Sequence, residues 1–178
     1  RSTARGQYHR ANHEYPLSTS STAQGKPVVI IPYNTDAPLY HYPIVTGALV
    51  ATNIGLFVGV EFGELGHTDG WLLRFGQGLH PVQWLSCNFM HLGPLHLIGN
   101  MMFLWVFGLI TEGKLGWWRF LICYLGIGIA SAAIEQFLLS NYRGPIIGSA
   151  GASSAIFGLM GMALIWAPKN EVECYFAY

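Results

Sequence analysis

Charged side chains are scarce in this sequence. Asp, Glu, Lys and Arg together make up only 10% of its 178 residues, and the formal net charge is zero. An ordinary soluble domain carries about 25% charged residues, so a packed soluble helical domain is the less favoured interpretation. A net charge of zero also provides no electrostatic basis for binding nucleic acid. We therefore expect no nucleic-acid partner.

Cysteine is also rare, with three residues in the whole sequence, Cys87, Cys123 and Cys174. Their number is odd, and their wide spacing fits neither a disulfide framework nor a zinc site. We interpret them as free thiols in or near apolar segments. The sequence predicts no metal ion and no cofactor.

Long uncharged stretches are what the sequence has in abundance. A helix needs roughly 20 apolar residues to cross the hydrocarbon core of a bilayer, and somewhat shorter runs can manage it. Four such spans are predicted, at residues 44–60, 91–110, 117–139 and 146–167, and a fifth is expected to begin near residue 172. The predicted fold class is all-α, a polytopic bundle of transmembrane helices.

Residues 1–43 differ from the rest because they are polar and rich in proline and serine. This composition is typical of a disordered tail that leads into an extended entry segment. The chain begins at Arg1, not at a methionine, and ends as a new aromatic stretch opens. From this we expect a fragment that is cut at both ends.

The positive charges predict the orientation in the membrane, because Lys and Arg concentrate on the cytoplasmic side. If the amino-terminal tail is cytoplasmic, only Arg74 and Arg143 lie outside. The other positive residues are then inside: Arg1, Arg5, Arg10, Lys26, Lys114, Arg119 and Lys169. The loop 61–90 is external, and its Trp71 and Trp84 suit an interfacial position. A bacterial inner membrane is predicted, with a mitochondrial membrane as the alternative.

Two polar side chains stand out in the second predicted span. His96 and Asn100 are four residues apart and share one helical face, whereas His91 lies off that line by helical geometry. Zinc-binding helices use an i, i+4 pair of histidines, so the spacing of His91 and His96 argues against a metal site. Two interpretations of His96 and Asn100 remain open. They are either part of an active site or hydrogen-bonded contacts between packed helices.

Ser153 is the serine in the most nucleophile-like setting. Pro145, Gly148 and Gly151 precede it, which places it near a helix amino terminus, where free backbone N–H groups favour negative charge. Such groups stabilise the oxyanion that forms when a serine attacks a carbonyl. The alternative is a ridge of small residues that serves close helix packing. That ridge comprises Gly151, Ser154, Ala155, Gly158 and Gly161.

The pair His96 and Asn100 and the segment around Ser153 together resemble the rhomboid family of intramembrane serine proteases, over residues 84–167. The resemblance rests on the pattern His-x4-His-x3-Asn at His91, His96 and Asn100, and on Gly-x-Ser at Gly151 and Ser153. Three further stretches contribute in the same order along the chain: Asn-Met-Met-Phe-Leu-Trp-Val-Phe-Gly at 100–108, Glu-Gly-Lys-Leu-Gly at 112–116 and Gly-Ala-Ser-Ser-Ala-Ile-Phe-Gly-Leu-Met-Gly at 151–161.

The resemblance implies a six-helix core that cleaves transmembrane substrates with a Ser–His dyad and no aspartate. Ser153 would be the nucleophile, and His96 and Asn100, with the Ser153 backbone N–H, would form the oxyanion hole. His91 and Gly151 would support them. The general-base histidine would lie on the sixth helix, and no histidine follows His96 in this sequence. Residues 44–178 would then be a partial rhomboid membrane domain, truncated before its last helices.

A serine hydroxyl is a weak nucleophile unless an adjacent base takes its proton. We therefore expect these 178 residues alone to be inactive and a longer parent protein to be active. The expected partners are transmembrane protein substrates and the lipid bilayer, and the sequence predicts no oligomeric state. The alternative is a catalytically inactive rhomboid-like protein that binds transmembrane segments. A four-span structural bundle is the remaining possibility.

Overall fold

A computed structural model describes residues 29–36, 40–63, 70–145, 148–166 and 172–177 of the chain. Helices dominate this part of the chain. They are α1 (Ile44–Glu61), α2 (Pro81–Ser86), α3 (Pro94–Leu115), α4 (Trp117–Leu138) and α5 (Ser153–Trp166), with a 3-10 turn at Cys87–Phe89. Four short strands accompany them: β1 (Val29–Thr35), β2 (Leu73–Arg74), β3 (Gly148–Ser149) and β4 (Val172–Ala177).

Three helices of the described segments, α1, α3 and α4, are long and apolar enough to cross a membrane, with mean hydropathies of 1.7, 1.5 and 1.7. The helix α5 is apolar as well, but it has only 14 residues. The architecture is thus a largely helical membrane bundle, which confirms the predicted fold class.

Two helices begin later than the uncharged stretches that predicted them. The stretch predicted at 91–110 is helical only from Pro94, which is the first helical residue and needs no hydrogen-bond acceptor for a backbone N–H. The stretch predicted at 146–167 is helical only from Ser153, because Gly148 and Ser149 pair with β2 instead. An uncharged stretch indicates an apolar environment, but it does not locate the first residue of the helix.

The helices α3 and α4 are separated by a single residue, Gly116. Its φ of 78° lies in the left-handed region that favours glycine. Its N–H donates to the carbonyl of Glu112 at 2.8 Å, which closes the last turn of α3. The sharp turn sends α4 back across the membrane, so that α1 and α4 run opposite to α3.

The strands β1 and β4 pair in antiparallel fashion, with Val29 opposite Ala177 and Thr35 opposite Val172. The strand β1 is extended, as the predicted entry segment is, whereas β4 stands where the start of a fifth span was predicted near residue 172. Three of the six residues 172–177 are β-branched or aromatic, which strands prefer, and the ladder to β1 pairs backbone groups along one edge of β4. The predicted disorder of residues 1–28 lies outside the described residues.

The core of the bundle lies where α3 and α4 meet α5. Leu104, Phe120, Tyr124 and Leu159 are completely buried there. A Cβ on Gly158 would lie 2.7 Å from two carbons of Ile127, so this glycine allows α5 to approach α4 closely. Part of the small-residue ridge therefore does serve packing. At its Gly161, by contrast, a Cβ would meet nothing within 4 Å among the described residues.

The completely buried side chain of Glu112 joins the end of α3 to the start of α1. Its Oε1 accepts a hydrogen bond from the N–H of Val45 at 2.9 Å. Its Oε2 accepts from the N–H and the hydroxyl of Thr46, both at 2.7 Å. The first N–H groups of a helix lack partners within the helix, and α1 has no side-chain cap of its own. Glu112 thus acts as the cap of α1 from a distant part of the chain.

Replacing Glu112 with glutamine is expected to lower the free energy of unfolding by about 2–3 kcal/mol, because one buried carboxyl oxygen that accepts hydrogen bonds is replaced by an amide NH₂, which then faces the same donors. Thermal unfolding in detergent micelles measures the effect. The control is Thr111→Val, which removes one local bond from a buried hydroxyl to the carbonyl of Phe107 and should cost about 1 kcal/mol. Equal stability of the two variants would contradict the capping role.

Candidate active site

Ser153 is the first residue of α5 and is half-buried. The N–H of Ile156 already donates to the carbonyl of Ala152 at 3.0 Å, which starts the helical ladder. The N–H groups of Ser153 and of the next two residues precede that bond and have no acceptor within the helix. The structure thus places Ser153 at the helix amino terminus, as predicted from the glycines and the proline before it.

Gly151 shapes the turn that enters α5. Its φ of 128° is a backbone conformation that residues with a side chain rarely adopt. Its N–H donates to the carbonyl of Cys87 at 2.8 Å. The thiol of Cys87 is buried, and burial, followed by the nearby charge of Glu135, raises its pKa to about 12. It therefore stays protonated and unreactive, and Cys87 contributes to the site through its backbone.

His96 and Asn100 face this turn from α3. A Cβ atom placed on Gly151 would lie 2.7 Å from His96 Cε1, 3.0 Å from His96 Nε2 and 3.4 Å from Asn100 Nδ2. The ring edge of His96 and the amide of Asn100 therefore converge on the residue two positions before Ser153. The shared helical face that their spacing predicts is the face that α3 turns toward α5.

The three polar residues surround one cavity of about 250 Å³ between α3 and α5. Ser153, His96 and Asn100 line one part of it, and the rest of the lining is apolar: Leu95, Gly99, Phe103, Phe107, Ile156, Phe157 and Met160. A concave, mostly apolar cavity with a few converging polar groups is the usual form of a small binding or catalytic site.

The amide of Asn100 is 8% exposed, and its Nδ2 has no hydrogen-bond partner among the described residues. A buried donor without an acceptor costs free energy. Asn100 also lines the cavity that Ser153 lines. A donor without an acceptor in the described residues thus lies next to that cavity.

His91 lies three residues before α3, with its ring centroid 5.3 Å from that of His96. Both of its ring nitrogens are shielded from solvent and have no hydrogen-bond partner within the described segments. Burial, followed by the charge of His96, lowers the pKa of His91 to about 4, so its ring is neutral at pH 7. His91 thus packs against His96, off the line of His96 and Asn100.

The other two described histidines are His41 and His80, and neither lies where it could act as a base for Ser153. His41 contacts Gly116 at the opposite end of α3, and a helix of this length spans about 33 Å. His80 is exposed and bonds to the carbonyl of Gln77. In the described ranges, no group of three or more His, Cys, Asp or Glu side chains could hold a metal ion.

Comparison with known proteins places the chain among relatives of one family. The Rhomboid domain model matches residues 79–178, more than half of the chain. Rhomboid protease GluP of Bacillus subtilis is 33% identical over 136 residues, which are 72% of this chain and 26% of that protein. RHOMBOID-like protein 4 of Arabidopsis thaliana is 40% identical over 78 residues, or 43% of this chain and 18% of that protein.

Rhomboid protease GlpG of Pectobacterium atrosepticum is 28% identical over 121 residues, which are 67% of this chain and 41% of that protein. The chain thus spans less than half the length of each of these three relatives. Together with the apolar helices, the matched domain settles the assignment: the chain is an integral membrane protein that belongs to the rhomboid family.

Proposed function

We propose that this chain is the larger part of the membrane core of an intramembrane serine endopeptidase that cleaves transmembrane proteins. Ser153 is the nucleophile, and its Oγ attacks the carbonyl of the scissile peptide bond. The observation that carries the proposal is the convergence of His96 and Asn100 on Gly151, around the cavity that Ser153 also lines. A structural bundle needs no amide donor that is unpaired among the described residues beside such a cavity.

The oxyanion forms beside the turn that Gly151 makes. Asn100 Nδ2, which has no partner in the described residues, and the backbone N–H of Ser153 at the start of α5 donate to it. His96, as the tautomer with a proton on Nε2, is the third donor. Preorganised donors in a water-poor site stabilise the transition state more than the substrate, because its negative charge exists only there.

The general base in this proposal is a histidine outside these 178 residues. Its task is to take the proton from Ser153 Oγ and deliver it to the leaving amine. His96 does not fit that role, because a donor to the oxyanion cannot at the same time accept the proton. A longer protein that carries this sequence is therefore active, whereas the 178 residues alone are not.

The proposed substrates enter from the lipid, and the cut lies near the external face. Ser153 and His96 lie at the amino ends of α5 and α3. The carboxyl ends of these helices meet where Lys114 Nζ donates to the carbonyl of Trp166 at 2.9 Å, and Arg119 lies just beyond, in the first turn of α4. Positive residues favour the cytoplasmic side. The amino-terminal tail is then cytoplasmic, in a bacterial inner membrane.

Cleavage of a model transmembrane substrate in lipid vesicles tests the proposal. In the longer protein, Ser153→Ala is expected to reduce cleavage at least about 1,000-fold, because the covalent step is lost. The control is Ser154→Ala, which alters the exposed neighbouring serine and should leave the rate within about twofold, as a surface change usually does. Substrate binding without Ser153-dependent cleavage would instead favour an inactive binder of transmembrane segments. Ser153-dependent cleavage by the 178 residues alone would contradict the external base.

A further inference from the structure

Gln136 is a completely buried amide near the carboxyl end of α4. Its Oε1 accepts hydrogen bonds from the N–H of His80 at 2.8 Å and from the indole Nε1 of Trp84 at 2.7 Å. Its Nε2 donates to the carbonyl of Arg74 at 3.0 Å and to Oε1 of Gln83 at 3.1 Å. A glutamine amide offers two acceptor and two donor positions, and all four are used here.

A second buried amide, that of Gln83, completes the arrangement. Its Oε1 also accepts from the N–H of Arg74 at 3.1 Å. The two glutamines thus bind both backbone polar groups of Arg74, which lies in β2. In an antiparallel pair, successive residues direct their backbone groups alternately toward and away from the partner strand. The two glutamines hydrogen-bond to one edge of β2, where a further strand would otherwise pair, and β3 pairs with the opposite edge.

The strand β3 belongs to the segment that leads into Ser153. That segment is held at two points: Gly148 and Ser149 pair with β2, and Gly151 donates to the carbonyl of Cys87. The partners at both points lie within residues 73–87. Gln136 of α4 is hydrogen-bonded to four residues of that stretch: Arg74, His80, Gln83 and Trp84. A continuous series of hydrogen bonds therefore runs from α4 to the turn before the nucleophile.

We propose that Gln136, together with Gln83, is a positioning residue for Ser153. The two glutamines hold β2 in place, and β3 is paired with β2. The position of β3 then determines where α5 begins relative to His96 and Asn100. This proposal rests on the proposed function of Ser153. The alternative is that Gln136 only stabilises the protein as a whole, as any saturated buried amide does.

Hydrogen exchange and labelling separate the two roles. Gln136→Met keeps the side-chain length and removes all four hydrogen bonds. The matched control is Thr46→Val, which removes a buried hydrogen bond to Glu112 at the opposite end of the bundle. Both variants are made in the full-length protein in lipid. Their amide exchange rates are compared with those of the wild type under conditions that give all three proteins the same free energy of unfolding.

We expect the peptide covering residues 148–154 to exchange at least about tenfold faster in Gln136→Met, because local opening and not global unfolding exposes it. In Thr46→Val the same peptide should exchange as in wild type. The rate at which a fluorophosphonate labels Ser153 should fall at least about tenfold in Gln136→Met, with the KM for substrate changed less than kcat, because misplacement of the nucleophile affects the chemical step.

Equal exchange of residues 148–154 in the two variants would overturn the positioning role, and so would unchanged labelling of Ser153 in Gln136→Met. Gln83→Met provides an independent check. It should speed exchange of the same peptide, and combining it with Gln136→Met should add little, because both act through Arg74. Absence of Ser153 labelling in the wild-type protein overturns the proposed function instead. The exchange result then decides whether Gln136 holds the turn.

Discussion

Gly151→Ala is expected to reduce Ser153-dependent proteolysis at least about 100-fold, because displacement of catalytic groups by about 1 Å can cost that much. Two independent facts underlie the expectation. The φ of 128° is rarely accessible to a residue with a Cβ. Even if the backbone held, the new methyl group would lie 2.7 Å from His96 Cε1. The substitution therefore pushes His96 away, shifts the start of α5, or does both.

The control for Gly151→Ala lies in the same helix and makes the same chemical change. Gly161 is a helical glycine in α5, and no described atom lies within 4 Å of where its Cβ would stand. Gly161→Ala should leave proteolysis near the wild-type rate and stabilise the protein by up to about 1 kcal/mol, the helix preference of alanine over glycine. Initial rates of cleavage in lipid vesicles measure both variants. Wild-type rates in Gly151→Ala would contradict the site geometry.

Removal of the α3 donors should have the second large effect. His96→Ala and Asn100→Ala are each expected to lower kcat about 100- to 1,000-fold, the range measured when an oxyanion donor is removed in serine proteases. KM should change little, because the donors act mainly on charge that develops in the transition state. The double variant should lose less than the product of the single losses, because both side chains serve one oxygen atom.

Asn100→Asp tests the chemistry with almost no change in shape. It exchanges the Nδ2 donor, which has no partner in the described part of the chain, for an acceptor and should be at least as damaging as Asn100→Ala. Ile98→Ala is the control for α3, because its side chain points away from the bundle and is 56% exposed. If Asn100→Asp and His96→Ala destabilise the fold but the folded fraction keeps its kcat, these residues are interhelical contacts and not catalytic ones.

Local sequence patterns predicted a large share of this site. The i, i+4 spacing of His96 and Asn100 fixes their common face in any helix, and the structure turns that face toward Gly151. Proline and glycine before Ser153 predicted a helix start there, which the structure confirms. The scarcity of charge predicted a membrane bundle. All of these features depend on residues close together in the sequence.

The contacts that span long distances in the sequence could not be predicted. Trp84 is half-buried, and its indole N–H donates to Gln136, 52 residues later, a contact that its predicted interfacial position did not indicate. Gln136 is one of the few polar residues in an apolar stretch, and this was the only available signal. The caps that Glu112 provides and the pairing of β1 with β4 are likewise set by tertiary contacts.

Mapping of a covalent adduct tests the central claim most directly. The full-length protein, reconstituted in lipid, is treated with a fluorophosphonate, digested and sequenced by tandem mass spectrometry. The account predicts one modified serine, Ser153, with labelling abolished by Ser153→Ala and retained in Ser154→Ala. A modified Ser154 or Ser86 with Ser153 unmodified, or no adduct in a folded protein, would contradict the assignment of Ser153 as the nucleophile.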